Sequence, residues 1–98
     1  MVADSVNHFI GRFREHDRVT DAFRFGCCYW FAYALFRRFE TDGAIIMYDE
    51  VENHFGTMVD GAVYDITGDV THQFRWIPWD SVTDISLRKR IIRDCIMF

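Results

Sequence analysis

The sequence predicts an α+β fold, a small domain in which N-terminal helices pack on an antiparallel sheet of three or four strands, followed by a C-terminal helix. Apolar residues recur at helical spacing near both ends of the chain, and short runs rich in β-branched and aromatic residues lie between them. Helices followed by a strand meander and another helix are typical of this class. A chain of 98 residues is long enough for one domain with a single core, so we expect one domain over residues 1–98.

Three segments have the periodicity of helices. A first helix is predicted over residues 1–18, with Ser5 as its cap, and a second over residues 27–40, which Gly43 follows. A third helix is predicted over residues 84–96, and its basic residues are expected to be solvated. The residues expected in the core are Val6, Phe9, Ile10 and Phe13 of the first helix, Phe31, Ala32, Leu35, Phe36 and Phe39 of the second, and Ile85, Leu87, Ile91, Ile92 and either Cys95 or Ile96 of the third.

The middle of the chain, residues 44–76, predicts an antiparallel meander. Its runs are "AIIMYDE", "NHFGTMV" and "AVYDITG", and "VTHQFRW" is expected to add a fourth strand. Asp60-Gly61, between the second and third runs, is a two-residue hairpin signal. Polar and apolar residues alternate only weakly along these runs, so both faces of the sheet are expected to be at least partly covered.

Composition and charge narrow the function classes. Half of the residues are apolar, which is typical of a globular chain, and the formal net charge of −4 argues against binding to a nucleic-acid backbone. This charge leaves open a basic protein partner, and the expected partner is a peptide or protein substrate or a protein target. No apolar run reaches the roughly 18 residues of a membrane span, and the first residues lack the pattern of a signal peptide. Three cysteines, two of them adjacent, are not a disulfide framework, so we expect a reduced, cytoplasmic protein.

A two-residue turn at Asp60-Gly61 fixes the register of the hairpin and therefore which side chains share a face. In this register His54 lies diagonal to Asp65, at about 7–8 Å between backbone positions, close enough for the side chains to meet. Gly56, opposite Asp65, is expected to leave open space for the imidazole. The same face carries Met58, Val63 and Thr67, and the other face, expected to be core, carries Phe55, Thr57, Val59, Tyr64 and Ile66.

Cys28, at the predicted start of the second helix, is the candidate nucleophile. The positive end of the helix dipole and the free backbone N–H groups there favour a thiolate. If the helix start docks against the face of His54, then Cys28, His54 and Asp65 form a catalytic triad. The backbone N–H of Cys28 could supply half of an oxyanion hole, and Asn53 and Trp30 are candidates for the second donor.

These residues resemble those of a known superfamily. The stretch "GCCYWFAYAL", followed by His54 and then Asp65 on neighbouring strands, is similar to the core of papain-like and transglutaminase-like cysteine hydrolases. The segments "NHFGTMVDGAVYDITG" and "RIIRDCI" further resemble small bacterial and phage proteins of that superfamily, so the resemblance covers about residues 24–96. It implies acyl transfer by Cys28: hydrolysis of a peptide bond or a glutamine side-chain amide, deamidation, or transglutamination. Members usually carry a polar residue where this chain has Cys27, which makes Cys27 a candidate for oxyanion support or substrate preference.

Each candidate also has a structural explanation. Cys28 would then be a small buried apolar residue, and His54 and Asp65 would be polar residues of a strand surface. A zinc site of Cys28, His54 and either His72 or Asp65 lacks the usual ligand spacing, so neither a metal nor a cofactor is expected. The alternative function is a catalytically silent, small acidic phage-encoded inhibitor, for example an anti-CRISPR or other anti-defence protein, that binds a protein partner in the host cytoplasm. The sequence leaves the substrate and the oligomeric state open.

Overall fold

The computed structural model describes the backbone of residues 2–14 and 28–97 and the side chains of residues 2–12 and 29–93. This part of the chain is an α+β domain, which confirms the predicted fold class, with a sheet of five strands. The strands lie in the order β4-β3-β2-β1-β5, and neighbours are antiparallel. The elements are α1 (Val2–Arg14), α2 (Cys28–Arg38), β1 (Ile45–Asp49), β2 (His54–Val59), β3 (Ala62–Asp65), β4 (Gly68–Asp69), β5 (Ile77–Pro78) and α3 (Ile85–Met97).

The hairpin of β2 and β3 has the register that its turn residues predict. Asp60 (φ 53°) and Gly61 (φ 83°) both lie in the left-handed region, as a two-residue type I′ turn requires. Thr57 pairs with Tyr64 across the two strands. Because side chains alternate along a strand, this register assigns every residue of the hairpin to one face of the sheet.

One face of the sheet packs on the helices. At the centre of β2, Thr57 is fully buried, and its Oγ1 donates a 2.7 Å hydrogen bond to the carbonyl oxygen of Ala32 in α2. Nearer the start of the strand, the rings of Phe55 and Tyr29 meet with their centroids 5.1 Å apart. The residues predicted to form this face are all buried: Phe55, Thr57, Val59, Tyr64 and Ile66.

Helix α2 runs alongside β2 in the same direction. Tyr29, in its first turn, contacts Phe55 near the start of the strand, and Ala32, one turn later, contacts Thr57. From Tyr29 to Ala32 the helix advances about 4.5 Å, and from Phe55 to Thr57 the strand advances about 6.6 Å. The two contacts therefore occur in the same order along both elements. The starts of α2 and β2 therefore lie at the same end of the sheet.

Residues 70–76 do not form the predicted fourth strand, so that prediction is wrong. Asp69 Oδ1 accepts hydrogen bonds from the backbone N–H of Thr71, at 3.0 Å, and from its hydroxyl, at 2.5 Å. Such local bonds turn the chain and compete with pairing along a strand. The segment instead lies over the second face of the sheet, where the Trp76 indole N–H donates to the carbonyl oxygen of Val70 at 3.1 Å. Both faces are thus covered, as predicted.

The helices bury most of the residues that their spacing predicts. Leu87, predicted to be core, is only partly buried and belongs to neither of the two core clusters of the described residues. Ser5 lies inside α1 and does not cap it, because the helix begins at Val2. Ile85, predicted to be core, is 68% exposed, because it is the first residue of α3 and that helix packs through Ile91 and Ile92. The buried helical residues are Val6, Ile10, Phe31, Ala32, Leu35 and Phe39, with Phe9 and Phe36 partly buried. The side chains of Phe13, Cys95 and Ile96 lie outside the described residues.

Candidate active site

His54 and Asp65 meet on the face of the sheet that points away from the helices. His54 Nε2 lies 2.8 Å from Asp65 Oδ2, and the two side chains are 12% and 9% exposed. His54 is the first residue of β2 and Asp65 the last of β3, so the turn between the strands determines that they meet. The hairpin register therefore brings together the two residues that the sequence places on one face.

The Asp65 carboxylate is held from both sides. Its Oδ1 accepts hydrogen bonds from the backbone N–H of Thr67, at 2.7 Å, and from the Thr67 hydroxyl, at 2.5 Å. Burial acts to raise the pKa of Asp65, but the hydrogen bonds from His54 and Thr67 outweigh it and hold the pKa below its ordinary value. Asp65 is therefore ionised at neutral pH and accepts hydrogen bonds without donating any.

An ionised Asp65 also determines the state of the imidazole. Because the carboxylate can only accept, Nε2 of His54 must carry the proton that lies between them. In the neutral ring Nδ1 then has a free lone pair, and no hydrogen bond from the residues whose side chains are described reaches it. His54 is thus arranged as a base whose basic atom is Nδ1 and whose ring is oriented by a buried carboxylate.

Aromatic side chains cover the pair. The ring of Phe74 lies 4.8 Å from the ring of His54, and the indole of Trp76 lies 6.0 Å from it, centroid to centroid. A methyl group added at Gly56 would come within 3.0 Å of Trp76 and 2.8 Å of Val63. The space above Gly56, predicted to receive the imidazole, is thus occupied by the side chain of Val63 and the indole of Trp76. This cover limits the access of water to the hydrogen bond between His54 and Asp65 and lowers the dielectric around it.

The helix start at Cys28 lies at the same end of the sheet as His54. The described contacts between α2 and β2, from Tyr29 onward, lie on the face of the strand opposite to His54, where Phe55 and Thr57 lie. Cys28 is the first described residue of α2, which was predicted over residues 27–40, and its side chain lies outside the described residues. Contact between the thiol and His54 therefore stays a prediction. Cys27 lies outside the described residues altogether.

The remaining candidates, Asn53 and Trp30, lie near this end of the domain. Asn53 has a left-handed backbone (φ 50°) in the turn between β1 and β2, and its Oδ1 accepts a 2.7 Å hydrogen bond from the Tyr48 hydroxyl. The amide group of Asn53 keeps two N–H donors besides this acceptor. Trp30 is 48% exposed and packs edge-on against Tyr29, with centroids 5.5 Å apart. Neither residue touches the pair of His54 and Asp65 through any described contact, and their roles stay predictions.

The structure adds three residues to the site: Thr67, which was predicted only to share the face of His54, and Phe74 and Trp76. Thr67 has a signal in the sequence, because Asp followed two residues later by Thr is a pattern that bonds locally to its own backbone. The same pattern recurs at Asp69 and Thr71, which make the equivalent hydrogen bonds. Phe74 and Trp76 have no comparable signal in the sequence. They reach the site only because residues 70–76 turn across the second face of the sheet.

Comparison with known protein families assigns the chain to one of them. The model of the Phage YunG-like protein family matches residues 8–91, which is most of the chain. The chain belongs to the Phage YunG-like protein family. It is therefore a small phage protein. No curated protein and no solved structure matches the chain.

Membership of this phage family corrects one prediction. The chain was expected to belong to the papain-like and transglutaminase-like superfamily, and this is wrong, because the matched family is Phage YunG-like and gives that superfamily no support. The resemblance depended on the order of Cys28, His54 and Asp65. In any antiparallel hairpin with a two-residue turn, the positions of His54 and Asp65 lie on one face of the sheet. This part of the pattern therefore does not identify a superfamily.

None of the helices within residues 2–14 and 28–97 combines the length and the apolar composition that a membrane crossing requires.

Proposed function

We propose that this phage protein catalyses cysteine-dependent acyl transfer, with Cys28 as nucleophile, His54 as general base and acid, and Asp65 as the residue that orients His54. The observation that carries the proposal is the 2.8 Å hydrogen bond between His54 Nε2 and the buried carboxylate of Asp65. This bond fixes the tautomer and leaves Nδ1 to accept a proton. The substrate is an amide, either a peptide or isopeptide bond or the side-chain amide of glutamine.

The reaction follows from these roles. His54 Nδ1 takes the proton of the Cys28 thiol, and the sulfur attacks the carbonyl carbon of the substrate. The imidazolium then gives that proton to the departing amine, which leaves a thioester on Cys28. Water resolves the thioester in hydrolysis or deamidation, and an amine resolves it in transglutamination. Throughout, Asp65 stays ionised and stabilises the imidazolium.

The direction of α2 supports this assignment. Because α2 and β2 run the same way, Cys28 and His54 each begin their element at the same end of the sheet. The first turn of the helix presents backbone N–H groups and the positive end of the dipole, which favour both a thiolate and an oxyanion. The N–H groups of the Asn53 amide are the candidate second donor. The proposal requires the thiol to reach Nδ1 past the end of β2, and it requires the reducing cytoplasm of the host.

The test is the pH dependence of iodoacetamide alkylation, followed for each cysteine by peptide mass spectrometry. Cys28 is expected to react with a midpoint well below about 8.5, the ordinary value for a thiol, and His54→Ala is expected to remove this advantage. Cys95 serves as the internal reference thiol. His72→Ala is the matched control, because His72 is an exposed histidine in the segment beneath the sheet and should leave the profile unchanged. A Cys28 that reacts like Cys95 in the wild type would refute the proposal.

A second candidate function is the binding of a protein partner without catalysis, as in an inhibitor of a host defence system. One observation favours it: the described contacts between α2 and β2 lie on the face of the strand opposite to His54. In that case His54 and Asp65 hold the hairpin together under Phe74 and Trp76. Phage carrying Cys28→Ala would then keep the wild-type phenotype on a restrictive host, whereas acyl transfer predicts its loss.

A further inference from the structure

Helix α3 carries a local concentration of positive charge on an otherwise acidic protein. The helix contains four of the eleven basic residues and one of the fifteen acidic residues, Asp94, which leaves seven basic against fourteen acidic residues in the rest of the chain. Arg88 is already engaged, since its guanidinium lies 4.9 Å from the centre of the Trp79 ring and 3.9 Å from Asp80. The other basic residues of the helix, Lys89, Arg90 and Arg93, are exposed.

These exposed basic residues line an open groove of about 710 Å³ along the outer side of α3. The partly buried side chain of Leu87 also lines the groove, so it offers an apolar contact between charged groups. Asp84, just before the helix, lines one end. The groove combines a concave shape, an apolar contact and clustered cations. A helix face that is only solvated would show the clustered cations alone.

We propose that this groove binds an acidic segment of a protein partner. Carboxylates of the segment would meet Lys89 and Arg90, and an apolar side chain would lie against Leu87. Charge complementarity is the reason for an acidic occupant, because the groove is the basic exception on a chain of net charge −4. A nucleic acid fits less well, because its backbone offers no apolar side chain to Leu87 and its denser negative charge is repelled more strongly by the acidic body around the groove. The proposal does not depend on the chemistry of Cys28.

The test uses fluorescence anisotropy with a labelled twelve-residue peptide of Glu and Asp around a central Leu. A Gln and Asn version of the peptide and a twelve-nucleotide single-stranded DNA are the comparison ligands. The acidic peptide is expected to bind saturably to the full chain, more weakly as salt is raised, and the neutral peptide is not. Lys89→Glu with Arg90→Glu should weaken binding by about tenfold, as expected for two exposed charge contacts. The milder pair Lys89→Gln with Arg90→Gln should give a smaller loss in the same direction.

The matched control is Arg12→Glu with Arg37→Glu, which changes the net charge by the same amount on α1 and α2. Both side chains are exposed, and neither lines the groove. Binding by this control should stay within about twofold of the wild type. The Lys89→Glu, Arg90→Glu variant should in turn bind a lysine-rich peptide that the wild type does not. Equal losses in both double variants, no saturable binding of the acidic peptide, or tighter binding of the DNA would each overturn the proposal.

Discussion

Replacing Asp65 by Asn should destabilise the protein and remove part of its acid sensitivity. The substitution keeps the size of the side chain and an oxygen that can accept from Thr67. It replaces the oxygen that faces His54 Nε2 with an NH2 group, so one charge-assisted hydrogen bond is lost in a buried setting. Bonds of this kind contribute about 1.5–3 kcal/mol, and for a chain of 98 residues a loss of about 2 kcal/mol lowers Tm by about 10 °C.

The pH dependence of this loss has a definite sign. The pKa of Asp65 in the folded protein lies below the ordinary value of 3.8, since the hydrogen bonds of His54 and Thr67 outweigh the effect of burial. A lowered pKa contributes stability that is fully present above pH 3.8 and is lost as the pH falls through the folded-state value. The wild type should therefore lose stability more steeply below pH 4 than Asp65→Asn, and the two curves should approach each other in acid.

Urea denaturation followed by circular dichroism between pH 2 and pH 7 measures both effects. Asp69→Asn is the matched control, because Asp69 makes the same two hydrogen bonds to Thr71 but is exposed and accepts no hydrogen bond from any histidine that the structure describes. Its cost at pH 7 should be within about 0.5 kcal/mol. If Asp65→Asn costs no more than Asp69→Asn, or leaves the slope below pH 4 unchanged, the assignment of a buried, ionised carboxylate bound to His54 is refuted.

Three further substitutions, measured by urea denaturation, test the packing of the strands and helices. Gly56→Ala should cost about 1–3 kcal/mol, because its methyl group would come within 2.8 Å of Val63 and 3.0 Å of Trp76, and a cost near zero would show that the space above Gly56 is not filled. Gly11→Ala, in α1 with open space around it, should instead stabilise by up to about 1 kcal/mol, and a loss would contradict the helix. Thr57→Val should cost about 1–2 kcal/mol, because it removes the buried hydrogen bond to Ala32, and an unchanged midpoint would contradict that bond.

The hairpin could be predicted from the sequence because its information is local. Asp60-Gly61 specifies a turn with two residues of positive φ, and the period of two along each strand then assigns the faces. The meeting of His54 and Asp65 follows from those two facts alone. The core faces of the helices were predictable for the same reason, since the 3.6-residue period gives the buried stripe without reference to its partner.

The cover of the site could not be predicted, because it depends on contacts between distant parts of the chain. The composition of "VTHQFRW" favours a strand, but the hydrogen bonds from Thr71 to Asp69 turn the chain before a ladder can form. Gly56 did indicate a close approach, as glycine inside a strand often does. The sequence does not say which side chains approach, and the space is filled by Val63 and Trp76, not by His54.

The register of β2 and β3 couples the site to the core of the protein. Thr57 and Phe55 hold α2 on one face, and His54, one residue away, meets Asp65 on the other. A slip by one residue would bring His54 among the helices and expel Thr57 from them, so it would break the core and the site together. The pair is therefore specified by the same interactions that stabilise the fold, and an intact core implies an oriented His54. The same core holds Tyr29 in the first turn of α2, and catalysis depends on where that turn places the thiol of Cys28.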